Sequence, residues 1–151
     1  YSLSLHDALP ISDEEGQRRH PVMGCYGIGV GRLMACIIEA CHDDFGPIWP
    51  TSVAPWQVHI CMLNKDVEAV GEIGTSLYER LGKKYEVLMD DRGATAGIQF
   101  ADADLLGVPV RVIVSKRNTE KGEVEITTRD KSVRKSVPVD QVEATVAELL
   151  R

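Results

Sequence analysis

Aromatic residues are scarce in this chain: two Phe, two Trp and four Tyr, 5% of 151 residues. A surface that holds flat ligands mainly by stacking is therefore not expected, and recognition would fall to polar side chains. Cysteine is scarce as well. Cys25, Cys36, Cys41 and Cys61 follow no metal-site spacing. The chain is too long to need disulfide staples, so reduced thiols are expected. Cys36 and Cys41 lie five residues apart, about 500° around a helix, and do not share a face. With His42 they read as core residues, and no metal is expected. His20 and His59 likewise read as structural, and no Ser-His-Asp arrangement or paired carboxylates can be argued. No apolar run has the length of a membrane span and no stretch has the layout of a secretory signal.

What is present is ordinary globular material. Hydrophobic residues make up 44% and charged residues 26%, enough for one domain, or a small domain with an appendage. The net charge of -6 argues against a polyanionic partner, but its distribution does not. From Arg111 to Lys135 there are eight basic residues against four acidic ones. Such a patch either steers a polyanion locally or is a solvated face.

The pattern along the chain is alternately extended and helical. Residues 1–12, YSLSLHDALPIS, sit badly with the rest of the sequence and resemble a translated sequencing adapter. They read as a non-native leader, with a short native helix as the alternative. Asp13 to His20 reads as a loop. Val22 to Val30 is a strand studded with glycine, and Leu33 to Cys41 a buried helix. Phe45 to Trp56, with three prolines, reads as an ordered linker. Strands are expected at 58–63, 86–89, 110–114 and 124–128, with an edge strand near 133–137. Helices are expected at 66–81, with Val70, Ile73, Leu77 and Leu81 inward, and at 96–106, with Ile98, Ala101 and Leu105 inward. The last helix begins near Gln141, capped by Asp140 with Glu143 three residues on. Its buried stripe is Val139, Val142, Val146, Leu149 and Leu150. The expected fold is a three-layer α/β/α domain on a mainly parallel, mixed sheet.

The stretch Gly27-Ile28-Gly29-Val30-Gly31-Arg32 fails two familiar tests. A dinucleotide fingerprint needs glycine at the sixth position, where Arg32 stands, and the Gly-Lys-Ser/Thr of a P-loop is absent. In an extended strand Gly27, Gly29 and Gly31 would clear one face of side chains. Arg32 would then offer a charged fork to phosphate oxygens. An adenine over the glycines fits this pattern, and so does close packing on another backbone.

The string GCYGIGVGR, with LMACIIE directly after it, resembles motif 3 of class II aminoacyl-tRNA synthetases, in the form that marks prolyl-tRNA synthetases of bacterial type. IWPTSVAPWQVHI is similar to that family's junction between catalytic and anticodon-binding domains. YEVLMDDRGATAGIQFADADLLGVPVRVIV and KGEVEITTR resemble parts of its anticodon-binding domain. The resemblance runs from Asp13 to Arg151. Ser115 stands where glycine is frequent in the family, and Gln99 where lysine is common.

The resemblance implies the C-terminal part of a cytoplasmic, homodimeric proline–tRNA ligase, which uses ATP with Mg2+ to join proline to tRNA(Pro) through prolyl-adenylate. Residues 13–50 would close the catalytic domain and residues 51–151 would form the anticodon-binding domain. ATP binding falls to Gly27, Gly29, Gly31 and Arg32, and Cys25 to the neighbourhood of the proline pocket. By the same analogy Asp91, Arg92, Lys116, Arg117 and Arg129 would contact the anticodon; the alternative for Asp91 and Arg92 is an exposed ion pair. Motifs 1 and 2 are not in the sequence, so the piece by itself should catalyse nothing. Two other readings remain: a non-catalytic RNA-binding accessory module and a flavodoxin-like signalling domain. The retained motif 3 speaks against the first, and the lack of a phosphate-binding loop after the strand at 58–63 against the second.

Overall fold

The structure, a computed structural model, describes residues 10–20, 24, 26–64 and 66–151. Most of the expected leader, Val22 and Cys25 therefore lie outside the described residues. Two compact units are divided in sequence between Leu33 and Met34.

In the first unit, β1 (Ile11–Ser12) pairs antiparallel with β2 (Arg18–Arg19), where the polar sequence suggests a loop. Asp13 holds the turn, accepting the Gln17 N–H and Arg19 Nε, each at 2.7 Å. Residues 26–29 carry no regular structure, and α1 (Val30–Ala40) begins at Val30. The glycine strand is thus not formed here, and Gly31 and Arg32 are helical. A strand needs a hydrogen-bonded neighbour, and among the described residues none pairs with this segment. Ile28 and Val30, which alternate with the glycines, are 82% and 77% exposed. None of the described residues of α1 is buried, so the expected buried helix forms with its apolar side uncovered.

The second unit continues with β3 (His42–Asp43) and β4 (Gly46–Pro47), a small hairpin that begins just before the expected linker and runs into it. Then come β5 (Val58–Leu63), α2 (Glu68–Leu81), β6 (Val87–Asp90), α3 (Ala96–Leu106) and β7 (Val110–Ser115). The chain ends with α4 (Lys116–Thr119), β8 (Glu123–Thr128), β9 (Arg134–Pro138), a 3-10 turn (Val139–Gln141) and α5 (Val142–Leu149). The five-strand sheet runs β6-β5-β7-β8-β9. The first three strands are parallel, joined by helical crossovers, and the last two are added antiparallel.

Alternation along the strands sorts the two faces. Val58, Ile60, Val110, Val112, Val124 and Ile126 share one face, which α2 and α5 cover with Val70, Leu77, Leu81, Val142 and Val146. α2 lies so close to β5 that a Cβ on Gly74 would collide with Met62 Sδ. The other face carries His59, Cys61, Arg111, Ile113, Glu125 and Thr127, and α3 covers only part of it. The result is the expected α/β/α arrangement.

Two local expectations fail for identifiable reasons. α3 turns Gln99 and Ala103 inward and leaves Ile98 and Leu105 53% and 66% exposed. Gln99 wins the inward position by hydrogen bonding: its Nε2 faces the carbonyls of Met62, Arg92 and Ala94 at 3.2, 3.1 and 3.4 Å. At α5 the expected capping box is absent. The 3-10 turn precedes the helix without a side-chain cap, and Glu143 accepts from Arg80 Nε at 2.7 Å instead.

The β3–β4 hairpin is bound to the end of α3. Trp49 Nε1 donates to the Leu106 carbonyl at 3.0 Å. Gly107, with φ of 70°, ends α3 where an added Cβ would meet the Pro47 carbonyl.

Candidate nucleic-acid interface

The parallel strands β5, β6 and β7 point their C-terminal ends the same way, the usual placement for binding loops in such sheets. The turn after β6 carries Asp91 and Arg92; α4, directly after β7, carries Lys116 and Arg117. All four are exposed. Arg92, however, is committed: Nε and Nη2 bind the two oxygens of Asp90 at 3.0 and 2.8 Å, and Nη2 also reaches Asp102 at 2.6 Å. Asp90 is buried, and the guanidinium beside it holds its carboxyl below the ordinary range. Arg92 therefore sits in an ion-pair cluster. Lys116 and Arg117 form no ion pair among the described residues.

Beside α4 the uncovered face of β7, β8 and β9 forms a groove. Two adjoining depressions of about 470 and 430 Å³ share Phe100, Ile113, Glu125 and Arg134. At one end stand Arg117, Asn118 and Lys121; at the other, Asp104, Arg111 and Lys131. Five cations thus meet three carboxylates, Asp104, Glu123 and Glu125, so the groove is positive on a chain of net charge -6.

The charges in the groove are arranged in pairs. Arg134 Nε donates to Glu125 at 2.7 Å and is 75% exposed in its side chain. Arg111 pairs with Asp104 and lies over the Phe100 ring, 5.7 Å from its centroid. Lys131, in a left-handed turn conformation, stands 4.0 Å from the Phe45 ring centroid and 3.9 Å from Asp104.

Arg129 is not part of this surface. It comes just after β8, at the end of the sheet opposite α4, 2% exposed, with its backbone N–H on the Pro109 carbonyl. Its guanidinium forks onto Asp43 at 2.7 and 2.8 Å and also bonds the carbonyls of Asp104 and Gly46. The expected RNA contact is corrected accordingly: every edge of the guanidinium is already bound. Asp43 is held far below the usual carboxylate range by this arginine.

Of the nucleotide-binding candidates, Arg32 is exposed on α1. An added Cβ on Gly27 or Gly31 would meet nothing within 4 Å, so among the described residues no backbone packs on them. Cys25 lies outside the described residues.

Of the groove residues, Arg111, Lys121, Lys131 and Arg134 belong to the basic stretch, but neither they nor Phe100 stand out individually in the sequence. Strand periodicity carries a signal for the acidic members. Glu123, Glu125 and Thr127 alternate with the buried Val124 and Ile126, which puts the polar set on the face away from the core.

Residues 57–149 match the family described as "Anticodon binding domain". The chain is 43% identical over 145 residues to a proline–tRNA ligase of Kosmotoga olearia. It is 48% identical over 141 residues to one of Dehalococcoides mccartyi. Each match takes in 93% of this chain and 25% of the relative, so the chain spans about a quarter of the length of these curated relatives. Among solved structures, prolyl-tRNA synthetase from Cryptosporidium parvum, complexed with L-proline and AMP, superposes with a TM-score of 0.71. That pair is 26% identical, and the match covers 93% of this chain and 30% of the other.

Proposed function

Since the chain belongs to the anticodon binding domain family, we propose that it supplies the anticodon-reading part of a proline–tRNA ligase. The observation that carries this reading is the groove over β7, β8 and β9, where cations and carboxylates alternate along a partly apolar floor. Unpaired RNA bases are read by hydrogen bonds on their edges and by stacking. Arg117 and Lys121 at one end and Lys131 at the other suit phosphate oxygens. Arg134 and Glu125 between them suit base edges, and an arginine fork matches guanine O6 and N7. The six residues of β8 span roughly 20 Å, room for a few nucleotides of extended RNA. Lys116 and Arg117 on α4 remain as readers. Asp91 contributes from the turn after β6, whereas Arg92 acts through its ion-pair cluster.

For the whole enzyme we propose ATP-dependent attachment of proline to tRNA(Pro), with ATP accompanied by Mg2+, in a cytoplasmic homodimer. The relatives named proline–tRNA ligase support this reading. Residues 13–50 would then close the catalytic domain, and residues 51–151 form the reading domain. The fork of Arg32 would meet ATP phosphates beside Gly27, Gly29 and Gly31, and Cys25 would stand near the proline. Among the described helices none is long and apolar enough to cross a membrane.

The test is binding of the chain to a proline anticodon stem-loop and to the same hairpin with both anticodon guanines replaced. Arg117→Ala should weaken binding to both hairpins and lower the salt slope by about 0.7 for every phosphate no longer engaged, whereas Arg134→Ala should reduce the preference for the guanine hairpin. Equal binding to both hairpins would refute base reading and leave a nonspecific basic groove.

A further inference from the structure

The end of the groove away from α4 stops at Lys131, whose ammonium lies over the ring of Phe45 at the tip of the β3–β4 hairpin. We propose that Phe45 and Lys131 form a stacking subsite for one unpaired nucleobase of the RNA that enters the groove, beyond the bases read by hydrogen bonds. This subsite rests on the anticodon-reading assignment and adds to it a contact that is blind to base identity.

The hairpin is short and pinned. Asp43 pairs with Gly46, so Asp44 and Phe45 form a two-residue turn. The Phe45 N–H donates to Asp43 Oδ1 at 2.9 Å. The buried guanidinium of Arg129 grips both shoulders of the turn, Asp43 through its carboxylate and Gly46 through its carbonyl. Gly46, with φ of 140°, lets the turn sit on the end of α3, where an added Cβ would stand 3.0 Å from the Asp104 carbonyl. The backbone under the ring is thus fixed before any ligand arrives, which lowers the ordering cost of binding there.

The ring itself is 61% exposed. Tight turns favour glycine and small polar residues, and burying an aromatic ring is among the larger apolar gains open to a chain; at this turn the gain is left for a partner. The neighbour is a cation: Lys131 Nζ stands 4.0 Å from the ring centroid. Its nearest carboxylate, Asp104 at 3.9 Å, is already bound by Arg111, and the lysine side chain is half exposed. An anion can therefore still approach it. An aromatic ring beside a cation is the pairing that single-stranded nucleic acid takes, a base on the ring and a phosphate on the ammonium. RNA lying along β8 leaves the groove past Lys131, which brings a flanking base to the ring. An apolar protein segment would cover the ring but leave the ammonium beside it unmatched.

The test is a coupling experiment on the full 151-residue chain with fluorescently labelled proline anticodon stem-loops. Each loop nucleotide in turn is made abasic, and each hairpin is titrated against wild type and Phe45→Leu. Phe45→Leu should weaken the intact hairpin about fivefold or more. It should leave the guanine preference, the salt slope and the thermal midpoint unchanged, since the ring is uncharged and exposed. Phe45→Trp should bind at least as well as wild type. At one loop position other than the two guanines, the abasic hairpin should show the same loss with wild type and no further loss with Phe45→Leu. All four bases should bind nearly alike at that position. Lys131→Gln should lower the salt slope by about 0.7. Undiminished binding by Phe45→Leu, or a loss that adds to that of every abasic position, would overturn the stacking subsite while a guanine preference in the wild type upheld the anticodon reading. A wild type without guanine preference would refute that reading, and the coupling of Phe45 to one loop base would still decide the stacking. No binding of any hairpin would remove both.

Discussion

Lowering the pH from about 7.5 to about 5.0 should cost the fold about 2 kcal/mol through His59 alone. Burial pushes this imidazole down from its ordinary 6.5 to about 4, assisted by the nearby Arg111, while Asp90 pulls the other way. At the upper pH the ring is neutral in both the folded and the unfolded chain. As the pH falls past 6.5 the unfolded chain takes up a proton that the folded chain refuses, so unfolding is favoured. A depression of roughly 2.5 pH units corresponds to about 3.4 kcal/mol when both states are protonated. At the lower pH, with the folded ring still mostly neutral, about 2 kcal/mol of that is lost. The carboxyls of Asp13, Asp43, Asp90 and Asp130 are held below their usual range, so they act at lower pH and leave this window to histidine. Urea unfolding of the wild type and of His59→Gln, at both pH values, measures the effect. The variant should start less stable and show a pH loss smaller by about 2 kcal/mol. An identical loss in the two proteins would show that His59 takes its proton in the folded state as readily as in the unfolded one, and the argument from burial would fail.

Other perturbations act on the packing. Gly74→Ala should destabilise by about 1–3 kcal/mol in thermal or urea melts, because the new methyl falls on Met62 Sδ. Gln99→Leu should cost about 2 kcal/mol by leaving the Met62, Arg92 and Ala94 carbonyls without their donor. Gln99→Lys, with three N–H groups for three carbonyls, should cost less than the leucine. Arg129→Met should cost about 2–3 kcal/mol, less than a fully enclosed pair because Asp43 is partly exposed. It should also raise protease cleavage within residues 42–50, since the arginine holds that hairpin.

The layer order is legible in the sequence because it depends on local signals: apolar strands and amphipathic helices alternate at spacings that force parallel crossovers. The helix at 96–106 is bounded by Gly107 in sequence and structure alike, yet its buried face differs from the one apolar spacing suggests. Ile98 and Leu105 are apolar and exposed, while Gln99 is polar and enclosed, because three backbone carbonyls outweigh hydrophobicity at that point. Arg129 shows the same limit. Its charge is visible in the sequence, but the partner that neutralises it lies 86 residues away at Asp43, a separation that no local pattern reveals. The glycine strand needs a neighbour to hydrogen-bond, and sequence alone does not say whether one is at hand.

The sign of the groove, set against the chain's overall charge, has a kinetic consequence. A polyanion meets net repulsion from the chain as a whole and local attraction at the groove. That gradient sorts orientations before the molecules touch, so productive encounters are enriched and indiscriminate adhesion is suppressed. Neutralising acidic residues far from the groove should therefore speed arrival of any nucleic acid while making arrivals less well aimed.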